Sequence, residues 1–532
     1  MAERFAFLPA DLSGALTPLA RAALSHAHAL PGVRLPRSAA ECESPAGAWD
    51  AELRAELSAA LLDPLARLEP HGAVLERARA LARPQTLCVV AAAHPGLLGG
   101  PLASLWQGLA CVRLARTIAD CLGVEVVPIL FNRADERVLA PAHILNCQLD
   151  PQRVGLSALD EGRRALGTLV IDEERHRTAA LRSALVQLHG GAAHLEQALD
   201  LFLPRPGESP ARAATRSLLA LAGPLGLLVA EPDWLRPQLT AALVRIVGTA
   251  PPDALAAGAD NLGRLDPAAA LRAQALPALV HFAPGGAREL LPGGEGFRFE
   301  GESGSRRGAE VAAAIVGAPT AWAAGARLEH LALDLVLPCV CELGNADALA
   351  ARAAAAPLRT ALGLAPGPFV LRGEVSVVDA ACERSLAACS LEVADVLGGS
   401  APPSSAALPP QVVEALRTLG SQAGASLRGL RPELAEIDRG LATRLRRVAG
   451  QVENLVGALA ERAERVHHNR AGTRRRHLRR ANGALRPAGK PQEEVLAPFS
   501  LVARHGRGWV EPLAGALASF GAEHLVWHLG TP

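Results

Sequence analysis

Tyrosine is missing altogether from this 532-residue chain, methionine occurs once, and aromatic residues make up only 3%. With blocks rich in Ala, Arg, Gly and Pro, that bias reads as the mark of a GC-rich genome rather than of chemistry. An excess of either charge is missing too, since 54 Lys+Arg against 53 Asp+Glu leave a formal net charge of +1. Nothing global therefore points to nucleic acid or to a membrane surface. The longest apolar run, residues 217–230, is interrupted by Gly223, Pro224 and Gly226, and it is too short to cross about 30 Å of hydrocarbon. The first nine residues lack a basic stretch followed by a long apolar one, so no signal peptide and a cytoplasmic protein are expected. Nine cysteines are present without a CxxC pair. None has His or Asp neighbours at zinc-ligand spacing, so reduced, buried thiols and no metal site are expected.

What is present is ordinary globular material, 50% apolar and 20% charged, in a chain too long for one core, so two or three structural units are expected. Residues 86–92, Thr-Leu-Cys-Val-Val-Ala-Ala, form a continuous apolar run suited to a strand buried on both faces. The glycine-rich turn His94-Pro-Gly-Leu-Leu-Gly-Gly-Pro-Leu102 follows. Apolar residues at Leu102, Leu105, Leu109, Val112, Ala115, Ile118 and Leu122 then mark one helix face. Pro101 suits the first helical position and Gly123 the left-handed residue after the last turn. A second buried strand over 124–131 completes a right-handed βαβ unit, the start of a doubly wound α/β domain. Residues 226–230 and 369–371 read as further buried strands, and 294–301 as part of an antiparallel hairpin.

Residues 401–410 are a linker by composition. Beyond it Leu434, Ile437, Leu441, Leu445, Val448, Val452, Leu455, Leu459 and Val466 line one seam of a helix of about nine turns. A preceding helix over 410–430 pairs with it as an antiparallel coiled-coil hairpin. The helix tail, 470–486, carries seven arginines and no acid. It can grip phosphates, but it has no interleaved aromatics for base stacking, and a solvated basic end is the simpler reading.

The glycine turn has the context of a phosphate site: a strand, a turn, and free N–H groups at a helix N-terminus. Gly96, Gly99 and Gly100 let a phosphate approach the main chain. The spacing matches neither GxGxxG nor a Walker loop, so a tight structural turn is an equal alternative. His94 stands at the tip of the first strand, where open α/β sheets bind ligands, with a phosphate-binding or acid–base role open to it. Asp135 and Glu136 follow the second strand at the same edge, able to hold Mg²⁺ or a substrate amine. The segment Asn132-Arg-Ala-Asp-Glu-Arg137 reads equally as a charged surface loop.

The turn and its flanking strands resemble the bacillithiol biosynthesis cysteine-adding enzymes, the BshC family. Pro95-Gly-Leu-Leu-Gly-Gly-Pro-Leu102 is similar to that family's glycine motif, and Val124-Glu-Val-Val-Pro-Ile-Leu-Phe131 to its second strand. Leu331-Ala-Leu-Asp-Leu-Val-Leu-Pro338, Arg372, the 486–506 region and Phe520-Gly-Ala-Glu-His-Leu-Val526 resemble later family segments in the same order. Several polar motif residues differ. The family's Thr-Gly-Gln-Gln is Ala91-Ala-Ala-His94 here, and its Glu-Asp-His-Asp falls near Asp135-Glu-Arg-Val138.

The resemblance implies a Rossmann-like doubly wound α/β core with helical insertions over 1–400 and an antiparallel coiled-coil arm over 401–490. The segment 491–532 then returns to the core. It also implies a homodimer formed through the arm, and ligation of cysteine to the amine of glucosaminyl malate with a nucleotide, ATP or ADP. Gly96, Gly99, Gly100 and Arg372 would hold phosphate, and His94, Asp135 and Glu136 would form the polar cleft. A catalytically degenerate relative that serves as a binding or regulatory partner stays open as the alternative.

Overall fold

The computed structural model describes the chain apart from residues 1–3, 11–15, 26–29, 31, 43–48, 138, 140–141, 147–148, 157–163, 171–174, 250–253, 265, 294–295, 400–409 and 530–532. Cys147 and all of the expected linker except Pro410 lie outside the described residues. Two compact units result: Met1–Ala380 with Gly483–Pro532, and Ala381–Asn482.

The first unit is built on a six-stranded sheet: β1 (Val33–Arg34), β2 (Leu87–Ala93), β3 (Val126–Asn132), β4 (Leu228–Ala230), β5 (Cys339–Gly344) and β6 (Gly367–Leu371). Its spatial order is β1-β6-β5-β2-β3-β4, with every pairing parallel. All seven residues of β3 are buried, as are six of seven in β2. Continuous apolar runs are what a sheet covered on both faces requires. From β2 the chain builds outward through β3 and β4, then returns to add β5 on the other side. The order thus reverses between β2 and β5, and open parallel sheets place their ligand crevice at such a point.

Helix α1 (Leu102–Leu122) links β2 to β3. Pro101 is its N-cap, at φ −65° and ψ 151°, one residue earlier than the first-turn position expected. Gly123 closes it in the left-handed conformation, φ +66°, donating to the Ala119 carbonyl. Gly99, at φ +91°, has a different duty, because a Cβ there would lie 2.7 Å from Phe202 and 2.9 Å from Pro498. The turn is therefore packed against protein on that side. An antiparallel sheet, Gly296–Phe299, Gly286–Gly293, Leu279–Ala283 and Trp322–Ala324, is inserted before β5 and contains the expected hairpin.

The last strand, His524–His528, lies between Arg4–Leu8, antiparallel, and Val375–Val378, parallel. Trp509, just upstream, meets Trp106 of α1 edge-on, ring centroids 5.8 Å apart. The C-terminal segment thus packs on the core. Six of the eight described cysteines are buried, while Cys121 is exposed and Cys339 partly so. The expectation of uniformly buried thiols fails at those two.

Two further helices matter for the site, α2 (Arg236–Thr249) and α3 (Glu329–Val336). Beside α3, the buried Arg352 donates to Asp334 at 3.0 Å and pairs with Glu342, while Arg359 also pairs with Asp334. His330 of α3 sits next to this network, and burial, helped by the Arg352 charge, depresses its pKa to about 3.

In the second unit α4 (Pro410–Gly429) is followed by α5 (Arg431–Ile437) and α6 (Arg439–Leu485). Arg428 of α4 bonds Glu453 of α6 at 2.7 Å, and a Cβ on Gly420 would lie 3.2 Å from Val456. Rising numbers on one helix meet falling numbers on the other, so the hairpin is antiparallel. The expected seam starting at Leu434 is broken at Asp438. That residue is extended (φ −160°, ψ 130°) and its carboxylate accepts from Leu441 N at 3.0 Å, capping α6. Among the described residues no helix is long and apolar enough to cross a membrane.

Gly99→Ala combines a strained positive φ with a steric clash and is expected to cost about 2–4 kcal/mol in urea unfolding. Gly123→Ala, with nothing within 4 Å of the added carbon, is expected to cost only about 1 kcal/mol. Because His330 is held below its unfolded pKa of 6.5, its contribution is present above pH 6.5 and is lost as pH falls towards 3. His330→Leu is therefore expected to lose less stability than the parent between pH 6.5 and 4, measured as melting temperature against pH.

Candidate functional site

His94 leaves the C-terminal end of β2, and Arg133, Asp135, Glu136 and Arg137 leave the end of the neighbouring β3. The parallel register pairs Ala93 with Asn132, so the two loops emerge side by side. They line a cavity of about 350 Å³, shared with Arg236, Leu239 and Leu243 of α2 and Glu329 of α3.

His94 Nδ1 lies 2.6 Å from Glu136 Oε1, and Arg133 Nη1 lies 3.2 Å from His94 Nε2. A guanidinium only donates and a carboxylate only accepts. Both contacts are satisfied when neutral His94 carries its proton on Nδ1, donates to Glu136, and accepts from Arg133 on Nε2. Arg133 Nε in turn donates to both oxygens of Glu329, at 2.7 and 3.0 Å. The imidazole is thus oriented from both sides, with its side chain still 58% exposed to solvent.

Asp135 lines the same cavity in a different state. Arg236 grips its two oxygens at 2.7 and 3.0 Å and also donates to the Trp322 carbonyl at 3.0 Å. Burial, only partly offset by the Arg236 guanidinium, pushes the Asp135 carboxyl above the usual carboxylate range. Both of its oxygens are taken up by Arg236, so Asp135 serves to hold that guanidinium at the cavity wall.

The segment 132–137 is not a solvated charged loop. Asn132 is fully buried, donating to Ala211 O at 3.0 Å and Thr215 Oγ1 at 2.8 Å, and the charged residues after it are only partly exposed. Their partners, Arg236 and Glu329, lie about 100 to 200 positions further along, beyond the reach of any local signal.

The residues expected to hold phosphate stand apart from this cluster. Gly96, Gly99 and Gly100 are buried and are not among the cavity's lining residues. A Cβ on Gly96 would lie 2.6 Å from Gly100 Cα, and one on Gly100 3.0 Å from the His94 carbonyl. Their glycine identity is accounted for by a turn folded against itself. Arg372 follows β6, where it pairs with Glu493 through both terminal nitrogens and donates to the Gly373 carbonyl at 2.6 Å. Glu493 also accepts from Val375 N at 2.8 Å, so this pair fastens the C-terminal segment to the core. Among the described residues no group of three or more His, Cys, Asp or Glu side chains is placed to hold a metal ion.

Three guanidiniums (Arg133, Arg137, Arg236) and three carboxylates (Asp135, Glu136, Glu329) surround the cavity with His94. Such a balance suits a ligand that carries both signs of charge, and the histidine–carboxylate pair supplies a proton acceptor.

Similarity to known proteins agrees with this architecture. Residues 38–243 match the N-terminal Rossmann-like domain of bacillithiol biosynthesis BshC, and residues 377–529 its C-terminal coiled-coil domain. A protein of Heliobacterium modesticaldum named "Putative cysteine ligase BshC" is 25% identical over 503 residues, covering 90% of this chain and 91% of its own. The protein of the same name from Salinibacter ruber is 24% identical, with 83% of each chain covered. A third, from Symbiobacterium thermophilum, is 34% identical over 118 residues, 21% of this chain and 20% of its own. With the parallel core, the coiled-coil unit and both domain matches in order, the chain belongs to the bacillithiol biosynthesis BshC family.

Proposed function

We propose that this protein is a cytoplasmic cysteine ligase that joins the carboxylate of cysteine to the amine of glucosaminyl malate. The observation that carries the reading is the His94–Glu136 pair, 2.6 Å apart, facing a charge-balanced cavity at the C-terminal edge of the parallel sheet. An amine attacks a carboxyl carbon only after losing its proton. His94 Nε2 is the basic atom for that step once the arriving amine displaces the hydrogen bond that Nε2 accepts from Arg133, and the Glu136 carboxylate stabilises the charge that then develops on the ring. Arg133 fixes the ring's orientation from the other side. The mixed-sign lining matches the ammonium and carboxylate of an amino acid.

Forming the amide expels one carboxylate oxygen, so a nucleotide, ATP or ADP, belongs to the proposal as the group that would activate the cysteine carboxylate and let that oxygen depart on phosphate. Gly96, Gly99, Gly100 and Arg372 are engaged with protein partners, so the chemistry assigned here rests on the residues of the cavity. The alternative of a degenerate relative drew on the loss of polar groups at 91–93. Ala91 and Ala93 are buried within β2, whereas His94 and Glu136 present a polar pair at its tip.

Homodimerisation through the arm is the second part of the proposal. Leu441, Val448 and Leu455 recur every seven residues on α6 and are 42%, 39% and 75% exposed. A heptad stripe left open by the intramolecular hairpin is what a second copy would cover.

Product formation from cysteine, glucosaminyl malate and ATP is followed by mass spectrometry. His94→Ala and Glu136→Ala are each expected to lower turnover by about 10²–10³-fold, with little change in melting temperature. Parental rates in both variants would remove the pair from catalysis, and no product from the parent protein would sink the ligase reading. In analytical ultracentrifugation the parent is expected to sediment as twice the 55.1 kDa chain, and Leu455→Glu as a single chain. A monomeric parent would refute the dimer.

A further inference from the structure

A second, larger cavity, about 800 Å³, opens at the opposite edge of the sheet. Its walls include Arg34 of β1, Cys339 at the start of β5, and Gly367 and Pro368 at the start of β6. Cys339, Gly367 and Pro368 stand at strand N-terminal ends, whereas the candidate site lies at the C-terminal ends.

Two helices are common to both cavities. Along α2, Arg236, Leu239 and Leu243 line the first cavity, while Gln238, Ala241 and Arg245 line the second. Those positions alternate as the two sides of one helix do. On α3, Glu329 faces the first cavity and Asp334 the second.

The chemistry of the second cavity is distinct. Its charged lining is four guanidiniums, Arg34, Arg245, Arg352 and Arg359, against two carboxylates, Glu56 and Asp334. Two of the arginines, Arg352 and Arg359, converge on the single carboxylate of Asp334. The remaining wall is apolar, with Trp49, Leu53, Leu335 and Leu337. The cations outnumber the carboxylates two to one, so an anionic group on a ligand would meet net positive charge there. The volume is that of a small-molecule pocket.

We propose that this cavity is a second ligand site, taking an organic anion whose carboxylate or phosphate meets the arginines and whose apolar body lies against Trp49 and the leucines. It is independent of the ligase reading, since none of its residues takes part in the His94 cluster.

The test uses 8-anilinonaphthalene-1-sulfonate, an apolar anion that fluoresces when shielded from water, on the full-length protein. One equivalent is expected to bind, displaced by octanoate if a carboxylate suffices or by phenyl phosphate if a phosphate is needed. Ala241→Trp, at an exposed helix position, fills the cavity and is expected to abolish binding. Arg245→Gln, also exposed, removes one cation and is expected to weaken binding about tenfold. Glu136→Ala, in the other cavity, is expected to leave the probe's affinity unchanged. Should Ala241→Trp fail to fold, the Arg245→Gln titration decides alone. Failure of the parent to bind the probe, parental affinity in Arg245→Gln, or displacement by neither competitor would overturn the proposal.

Discussion

Two guanidinium–carboxylate pairs hold the loop after β3, and the arrangement of the site follows from them. Arg133 reaches Glu329 on α3, and Asp135 receives Arg236 from α2. The loop that leaves β3 at Arg133 is thereby fastened to two helices that lie far away in sequence. Removing one partner of a buried pair leaves the other charge stranded, at a cost of about 3–5 kcal/mol. Both charges of each pair must therefore be in place for the loop to keep this course. Glu136, the next residue after Asp135, is thereby carried to His94.

The parts of this architecture legible in the sequence are those with a local physical cause. The β2–turn–α1–β3 unit shows itself because buried parallel strands need unbroken apolar runs and because Gly123 has a backbone reason to be glycine. The coiled-coil seam shows itself through its spacing, yet the interruption at Asp438 does not, since apolar positions continue across it and only the cap reveals the break. His94 and Glu136 were legible as residues at strand tips. Arg236 and Glu329 were not, because an arginine or glutamate on a helix carries no local mark of a partner across the sheet.

The glycines were legible as glycines but not in their purpose. A position without a Cβ admits a ligand's phosphate or the side chain of another segment equally well. Around Gly99 the occupant is Phe202 and Pro498. Arg372 poses the same ambiguity for charge, because a guanidinium at a strand end suits a phosphate or a carboxylate, and here Glu493 is the carboxylate. Reading the four charged residues after β3 as solvated fails for a related reason. Charge density alone cannot distinguish water from counter-charges supplied by distant elements.

The strand His524–His528 lies between Arg4–Leu8 and Val375–Val378, and this has a consequence for the birth of the molecule on the ribosome. Residues made first wait, with an unfilled edge, for residues made more than five hundred positions later. The coiled-coil unit draws its contacts from a continuous stretch of chain and is free to form while synthesis continues. The α/β unit can only be closed after its last strand has emerged, so the order of translation and the order of assembly run in opposite senses.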